Sequence, residues 1–196
     1  MTIAGVILAG GRSTRMNGLD KATLRLGSES LLDRAVQRLA PQVDELAINS
    51  NSLDEHSAAP VLRDATTTFD GPLAGVLAGL VWAQARGHRH IASVAVDTPF
   101  FPADLVGRLS HNTTDKIVVA RSNGRIHPTF ALWPVTAATP LSAFMERGET
   151  RKVMAFLDEF GFEAVDFAIG AVDQFFNVNT KDDLVEAERL RSEIEE

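Results

Sequence analysis

Two hydrophobic periods alternate along this chain, and that alternation restricts it to a sheet covered by helices. Ile3-Ala4-Gly5-Val6-Ile7-Leu8-Ala9 is an unbroken apolar run, the pattern of a strand buried on both faces. Leu31, Leu32, Ala35, Val36 and Leu39 follow helical spacing, and Pro41 ends that helix. Glu45–Asn49 and Pro60–Arg63 read as short strands. Leu73, Val76, Leu77, Leu80 and Val81 form a helical stripe closed by Gly87. Ile91–Val96 is a second buried strand, and Pro102 suits the first turn of a helix after it. Ile117–Ala120 and Pro128–Trp133 read as strands with Asn123-Gly124 as the turn between them. Helices at Ala137–Glu146 and Lys152–Phe160 and a strand at Glu163–Phe167 follow. A last helix starts near Thr180, where Thr180-Lys181-Asp182-Asp183 resembles a capping arrangement. Strands alternating with helices predict an open, mostly parallel α/β sheet covered on both faces, to which the 117–133 hairpin can add an antiparallel strand. No repeat, low-complexity tract or long linker divides the 196 residues, so one domain over 1–196 is expected.

Composition narrows the function classes. Hydrophobic residues at 45% and charged residues at 23% are those of a soluble globular protein. With no cysteine, disulfides, thiolate metal sites and a cysteine nucleophile are excluded. The apolar start lacks a basic region ahead of it and runs directly into Gly11, Arg12 and Arg15, unlike a signal peptide. No apolar run approaches the roughly 20 residues of a membrane helix, so a cytoplasmic location without membrane contact is the expectation. The net charge of -7 disfavours general nucleic-acid binding. Any polyphosphate ligand must then be met by locally clustered cations or by a metal.

Such a cluster follows the first strand. Leu8-Ala9-Gly10-Gly11-Arg12-Ser13-Thr14-Arg15-Met16-Asn17-Gly18-Leu19-Asp20-Lys21 lies where α/β sheets bind ligands, beyond a strand's carboxyl end. Glycine lets backbone N–H groups approach anionic oxygens, while Arg12, Arg15 and Lys21 add full positive charge. Its spacing matches neither G-x-x-x-x-G-K-[ST] nor G-x-G-x-x-G. Its length and charge favour phosphate binding over a plain βα connection.

Other polar residues sit at predicted strand ends. Asp97 follows Ser93-Val94-Ala95-Val96 and precedes Thr98-Pro99. It can bind Mg²⁺ through oxygen or simply cap a turn. Asp64, after Pro60–Arg63, can accept hydrogen bonds from a base or ribose, or solvate a loop. Asn49 and Asn51 in Asn49-Ser50-Asn51-Ser52 suit a turn. Trp82 and Trp133 read as packing, and His88-Arg89-His90 as a solvated connection without zinc character.

Leu8-Ala9-Gly10-Gly11, Arg15-Met16 and Gly18-Leu19-Asp20-Lys21 together resemble the signature of nucleotidyltransferases with a Rossmann-like fold. Gly71-Pro72-Leu73-Ala74-Gly75, Asp97-Thr98-Pro99-Phe100, His127-Pro128-Thr129-Phe130-Ala131-Leu132 and Asn177-Val178-Asn179-Thr180 extend the similarity, in order, to the molybdenum cofactor guanylyltransferases. The resemblance implies a three-layer α/β/α fold of the nucleotide-diphospho-sugar transferase type. It also implies Mg²⁺ as cofactor, and GTP and molybdopterin as substrates. Carried over residue by residue, it gives Leu8, Ala9, Gly10, Gly11, Lys21, Asn49, Asp64, Gly75 and Asp97 as nucleotide-binding. Asp64 is favoured over Asp70, and Asn49 over Asn51; Gly71 joins Gly75 as a candidate backbone contact. Arg15, Lys21 and Asp97 are the catalytic candidates, with Asp97 holding the metal. His127 falls on the pterin side, and Arg151, Asn177 and Asn179 are candidates for the acceptor. Arg151 is equally readable as a solvated helix start, and Asn179 as serving the last helix.

Asn17 stands where the family usually has glycine, and Lys181 where it usually has proline. The implied reaction is attack of molybdopterin's phosphate on the α-phosphorus of GTP. Rival readings are a cytidylyltransferase for the same cofactor, a sugar-phosphate nucleotidyltransferase, and a non-catalytic GTP-binding partner of molybdoenzyme maturation chaperones. Leu8-Ala9-Gly10-Gly11 favours guanine over cytosine, because the cytidine-using relatives typically carry alanine at the first of these glycines.

Overall fold

The computed structural model describes residues 2–10, 21–64, 71–111, 115–168, 170 and 172–195. The first apolar run forms β1 (Ile3–Leu8), whose side chains alternate between two faces. Ile3 and Ile7 enter one apolar cluster, while Ala4, Val6 and Leu8 enter the other. After it come β2 (Arg25–Leu26) and β3 (Glu29–Ser30), a small separate hairpin, then α1 (Leu31–Leu39) and β4 (Glu45–Asn49). The middle of the chain supplies β5 (Val61–Leu62), α2 (Pro72–Ala85), β6 (His90–Ala95), α3 (Leu105–Leu109), β7 (Ile117–Ser122) and β8 (Arg125–Pro134). The remainder gives α4 (Ala138–Arg147), α5 (Val153–Phe160), β9 (Phe162–Asp166) and α6 (Lys181–Glu195).

Seven strands form one sheet in the order β5-β4-β1-β6-β8-β7-β9. Only β8 runs against its neighbours, as the hairpin pattern allowed. Residues of α1, α3 and α6 share one apolar cluster, and those of α2, α4 and α5 the other. The result is the expected α/β/α sandwich. From β1 the chain steps outward to β4 and β5, then returns to place β6 on the opposite side of β1. Leu8 is therefore registered with Asn49 on one side and Ala95 on the other. At about 4.8 Å per strand spacing, the ends of β4 and β6 lie roughly 10 Å apart around the end of β1. That reversal of strand order opens the crevice where α/β sheets take ligands.

Local chemistry sets the boundaries. Ser30 caps α1, its Oγ accepting the Asp33 N–H at 3.0 Å. The Asn123-Gly124 turn between β7 and β8 has φ values of 47° and 71°, a geometry these two residue types tolerate best. Thr180 and Asp183 form a reciprocal cap at the start of α6. Thr180 Oγ1 accepts the Asp183 N–H at 3.1 Å, and Asp183 Oδ2 accepts the Thr180 N–H at 2.8 Å.

Two expectations need correcting. Pro102 does not open a helix directly; α3 starts at Leu105. Gln42 is the reason, because its Oε1 takes the Val106 N–H at 2.9 Å while its Nε2 donates to the Pro102 carbonyl at 3.2 Å. A side chain distant in sequence thus sets the start. His88 is also not solvated. It is tucked beside Trp82, with Nε2 2.8 Å from Glu45 Oε2. Arg86 pairs with the same carboxylate, and the two partners push Glu45 down to about 2.

Candidate functional site

Asp97 lies just beyond the end of β6, and its carboxylate organises one half of the crevice. Lys21 Nζ donates to Asp97 Oδ2 at 2.8 Å and to Asn179 Oδ1 at 2.5 Å. The two charged side chains are only 17% and 20% exposed, so their attraction is less screened than at an open surface. The backbone adds a third tie, from the Val178 N–H to the Asp97 carbonyl at 2.8 Å. Thr98 Oγ1 donates to Asn177 Oδ1, joining the same two segments once more. Residues 76 and 158 positions from Lys21 thereby converge on its ammonium. Asp183 sits close behind: its bonds from the Asn179 and Thr180 N–H groups, with a lesser pull from Lys21, hold its carboxyl below the ordinary value.

The other half of the crevice forms at the ends of β4 and β5. Asn49 is 4% exposed, and its Nδ2 donates to Asp64 Oδ1 at 2.9 Å. Asn51 Nδ2 donates to Asp64 Oδ2 at 2.7 Å, and Asn51 Oδ1 accepts the Asp64 N–H at 3.1 Å. The family resemblance favours Asn49 over Asn51, and the structure brings both amides to Asp64. Gly75, on the first turns of α2, faces Asn49. A Cβ there would lie 2.7 Å from Asn49 Cγ and 2.9 Å from Leu8 Cδ2, nearer than packed atoms allow. Gly75 is buried, and what its missing side chain makes room for is Asn49. Leu8 and Ala9 are buried between these halves, and Gly10 emerges at the surface. The Ala9 N–H donates to the Asn49 carbonyl at 2.9 Å, and the Val96 N–H to the Leu8 carbonyl at 3.2 Å. Strand pairing therefore continues past Leu8 and fixes where the glycine-rich segment departs.

Gly11, Arg12, Arg15 and Asp70 lie outside the described residues, as does Asn17. Arg151 is exposed at the start of α5. Asn177 is exposed and Asn179 half-buried, both in the segment leading into α6.

His127 stands apart from the two clusters. Its neighbourhood is shaped by Pro128, which has no N–H for the sheet ladder. Between the pairs Val119↔Ala131 and Ala120↔His127 the register of β8 against β7 shifts, so residues 128–130 bulge. Ser93 Oγ steadies the bulge by donating to the Thr129 carbonyl at 2.8 Å. His127 is left 9% exposed, with Nε2 2.8 Å from Ser122 Oγ. Its ring stacks on Phe175 with centroids 4.2 Å apart and planes at 12°. Burial, then the Arg125 charge, lowers its pKa, while Asp173 opposes them. Phe175 and Ser122 have no role in the sequence pattern, and Thr98 enters it only as part of Asp97-Thr98-Pro99-Phe100. The Phe175-Phe176 pair directly before Asn177-Val178-Asn179 was the available signal.

The donor set can be tested against the implied ion. Asp97 Oδ2 faces the Lys21 ammonium, while the partner of Oδ1, Thr98 Oγ1, is distant at 3.5 Å. One half-buried carboxylate with oxygen lone pairs to spare fits a hard cation that completes its shell with water and phosphate. Among the described residues no group of three or more His, Cys, Asp or Glu side chains forms a metal cage. The oxygen donors present suit a hard divalent cation of the Mg²⁺ kind.

Comparison with known proteins agrees with this geometry. A family model described as "MobA-like NTP transferase domain" matches residues 5–160. The molybdenum cofactor guanylyltransferase of Rhizobium leguminosarum bv. trifolii is 47% identical, with 95% of this chain and 92% of that protein covered. The one of Mesorhizobium japonicum is 44% identical over 96% and 95% of the two chains. In fold, the chain is similar to the crystal structure of molybdopterin-guanine dinucleotide biosynthesis protein A from Archaeoglobus fulgidus. The TM-score is 0.75 at 22% identity, covering 97% of this chain and 99% of that one. A cytidylyltransferase of 2-C-methyl-D-erythritol 4-phosphate from Thermus thermophilus shares the same fold, with a TM-score of 0.71 at 18% identity, covering 98% and 100% of the two chains. A crevice at the strand-order reversal, lined by a paired lysine and aspartate, and full-length similarity to guanylyltransferases lead to one placement: the chain belongs to the MobA-like NTP transferase family, among the molybdenum cofactor guanylyltransferases.

Proposed function

We propose that this protein transfers GMP from GTP to molybdopterin, forming the guanine dinucleotide form of the cofactor and releasing pyrophosphate. The observation that carries the reading is the Lys21–Asp97–Asn179 cluster, set at the strand-order reversal of a chain 44–47% identical to enzymes of that name. The backbone of Leu8, Ala9, Gly10 and Gly11 would receive the nucleotide, and Arg15 and Lys21 its phosphates. Asn49 and Asp64 would face the nucleoside, with Gly75 keeping Asn49 in place. On the acceptor side the reading keeps Arg151, Asn177 and Asn179 as candidate contacts, with His127 behind them, stacked on Phe175. The reading implies one catalytic unit over the whole chain, working in the cytoplasm and handing its product to molybdoenzyme maturation partners.

In the transfer, an oxygen of molybdopterin's terminal phosphate forms a bond to the α-phosphorus. The bond from that phosphorus to the bridging oxygen breaks, and pyrophosphate leaves with the electron pair. A phosphate monoester is already anionic near neutral pH, so no side chain has to remove a proton from it. Catalysis then rests on alignment and on offsetting charge. An ammonium has three N–H donors, and two of those on Lys21 point at Asp97 and Asn179. Among the described residues the third has no partner, and in this reading it would meet a phosphate oxygen. Asp97 would hold Mg²⁺, which when bound would offset the charge on the phosphates.

Incubation with molybdopterin, Mg²⁺ and either GTP or CTP, followed by mass analysis of the product, tests the assignment. The guanine dinucleotide and pyrophosphate are expected from GTP. A product from CTP in equal or greater amount would sink the reading. Asp97→Asn keeps the shape and the Thr98 contact but loses the charge. It should lower metal-dependent turnover at least about a hundredfold, the scale typical of removing one electrostatic group from a transition state. The variant's circular dichroism should stay unchanged, and full GMP transfer by it would refute the metal assignment.

A further inference from the structure

The crevice has a wall that neither the strand ends nor the glycine-rich segment supplies. Residues 175–179 run across the end of β6 and carry, in order, the stacked ring of Phe175, Asn177 on Thr98, the Val178 N–H on the Asp97 carbonyl, and Asn179 on Lys21. This strap is anchored at both ends. At Thr180 the capping pair with Asp183 ties it to α6, and Asp183 Oδ2 also accepts the Asn179 N–H at 2.9 Å. At Phe175 the anchor is aromatic. The ring meets Phe130 edge-on at 5.3 Å and Phe167 edge-on at 5.5 Å, and its face is covered by His127 at 4.2 Å.

We propose that His127 is a positioning residue for the transfer reaction: its stack on Phe175 fixes the strap that holds Asp97 and Lys21 in place, and it acts without touching either substrate. The inference rests on the reading of Asp97 and Lys21 as the charged pair at the reacting phosphates. Its burial argues against a substrate contact, and its one hydrogen bond from Nε2 goes to the protein's own Ser122. His127 pairs with Ala120 at the last regular position before the bulge at 128–130, and from there its ring stacks on Phe175. A ring lying nearly parallel on another at this distance contributes more than its buried area alone. Without it, Phe175 would keep two edge contacts but lose the face that stops the strap from rocking.

Two near-isosteric variants separate the stack from mere burial. His127→Phe keeps a flat ring, and His127→Leu fills the space without one; both lose the Ser122 partner equally. Hydrogen exchange at the Val178 amide reads the strap directly and needs no activity. The expected result for His127→Leu is about tenfold faster exchange at Val178, unchanged exchange at the Val94 amide of β6, and kcat down about tenfold. His127→Phe should stay within about threefold of the parent on both measures. The proposal is overturned if Val178 exchange in His127→Leu is unchanged, or if the Phe and Leu variants behave alike. Should Asp97→Asn prove active, the charged-pair reading fails, while the exchange result still judges whether His127 anchors the strap.

Discussion

Adding one methyl group to Gly75 would place it against the side chains of Asn49 and Leu8, with Asn49 Oδ1 the nearest atom. Both neighbours are buried and cannot yield cheaply. Gly75→Ala should therefore cost about 2 kcal/mol, the usual scale of overpacking a tight interior. It should also weaken GTP binding, because Asn49 would be pushed off Asp64. Urea midpoints and nucleotide titration check the two effects separately, and a variant as stable as the parent would contradict the packing. His127 offers a second residue-level test. Its pKa in the fold lies below the ordinary value of about 6.5, so the unfolded chain takes up the proton first. Stability is therefore complete above about pH 6.5 and declines as the pH falls from there toward the folded value. Comparing urea midpoints at pH 7.5 and 5.5, the drop should be smaller in His127→Phe than in the parent.

Elements were legible to different degrees. The continuous apolar runs gave β1 and β6, and the Asn123-Gly124 signal gave the β7–β8 hairpin, because each depends on neighbours in sequence. The α6 cap was legible for the same reason. Thr180→Ala should remove about 1 kcal/mol, the usual value of an N-cap, measurable as a lowered melting temperature. Because Thr180 adjoins Asn179, Lys21-dependent nucleotide affinity should fall with it. The start of α3 and the bulge in β8 were not legible. Gln42 sets the first from a distant helix end, and the second appears only when β8 is laid beside β7.

At the scale of the whole molecule, the family match ends at residue 160, yet the crevice does not. Residues 161–195 supply the β9 edge, Phe167 and Phe175 in the aromatic cluster, and the Asn179 contact to Lys21. A chain ended after Phe160 should lose fixed packing around Phe130, seen as a collapsed near-ultraviolet circular dichroism signal, and should bind GTP poorly. Retention of native dispersion in its NMR spectrum would count against this. At the opposite end of the sheet, the Glu45, Arg86 and His88 cluster joins β4 to the turn before β6. These contacts tie together the two strands that flank β1, on which the crevice depends.

What the sequence determined by itself was the layered α/β architecture and the acidic and basic residues at strand ends, since hydrophobic period and turn chemistry act over a few residues. The glycine-rich segment and Asp97 could also be singled out there, with resemblance naming their roles. Only the tertiary structure decided that Lys21, Asp97 and Asn179 meet, that Asn49 and Asn51 share Asp64, and that Gly75 makes room for Asn49. The same holds for His127, which reads as a lone histidine before a strand until Phe175 is brought onto its ring. Contacts between residues tens of positions apart depend on strand order and on the space left between packed layers, and no local pattern encodes either.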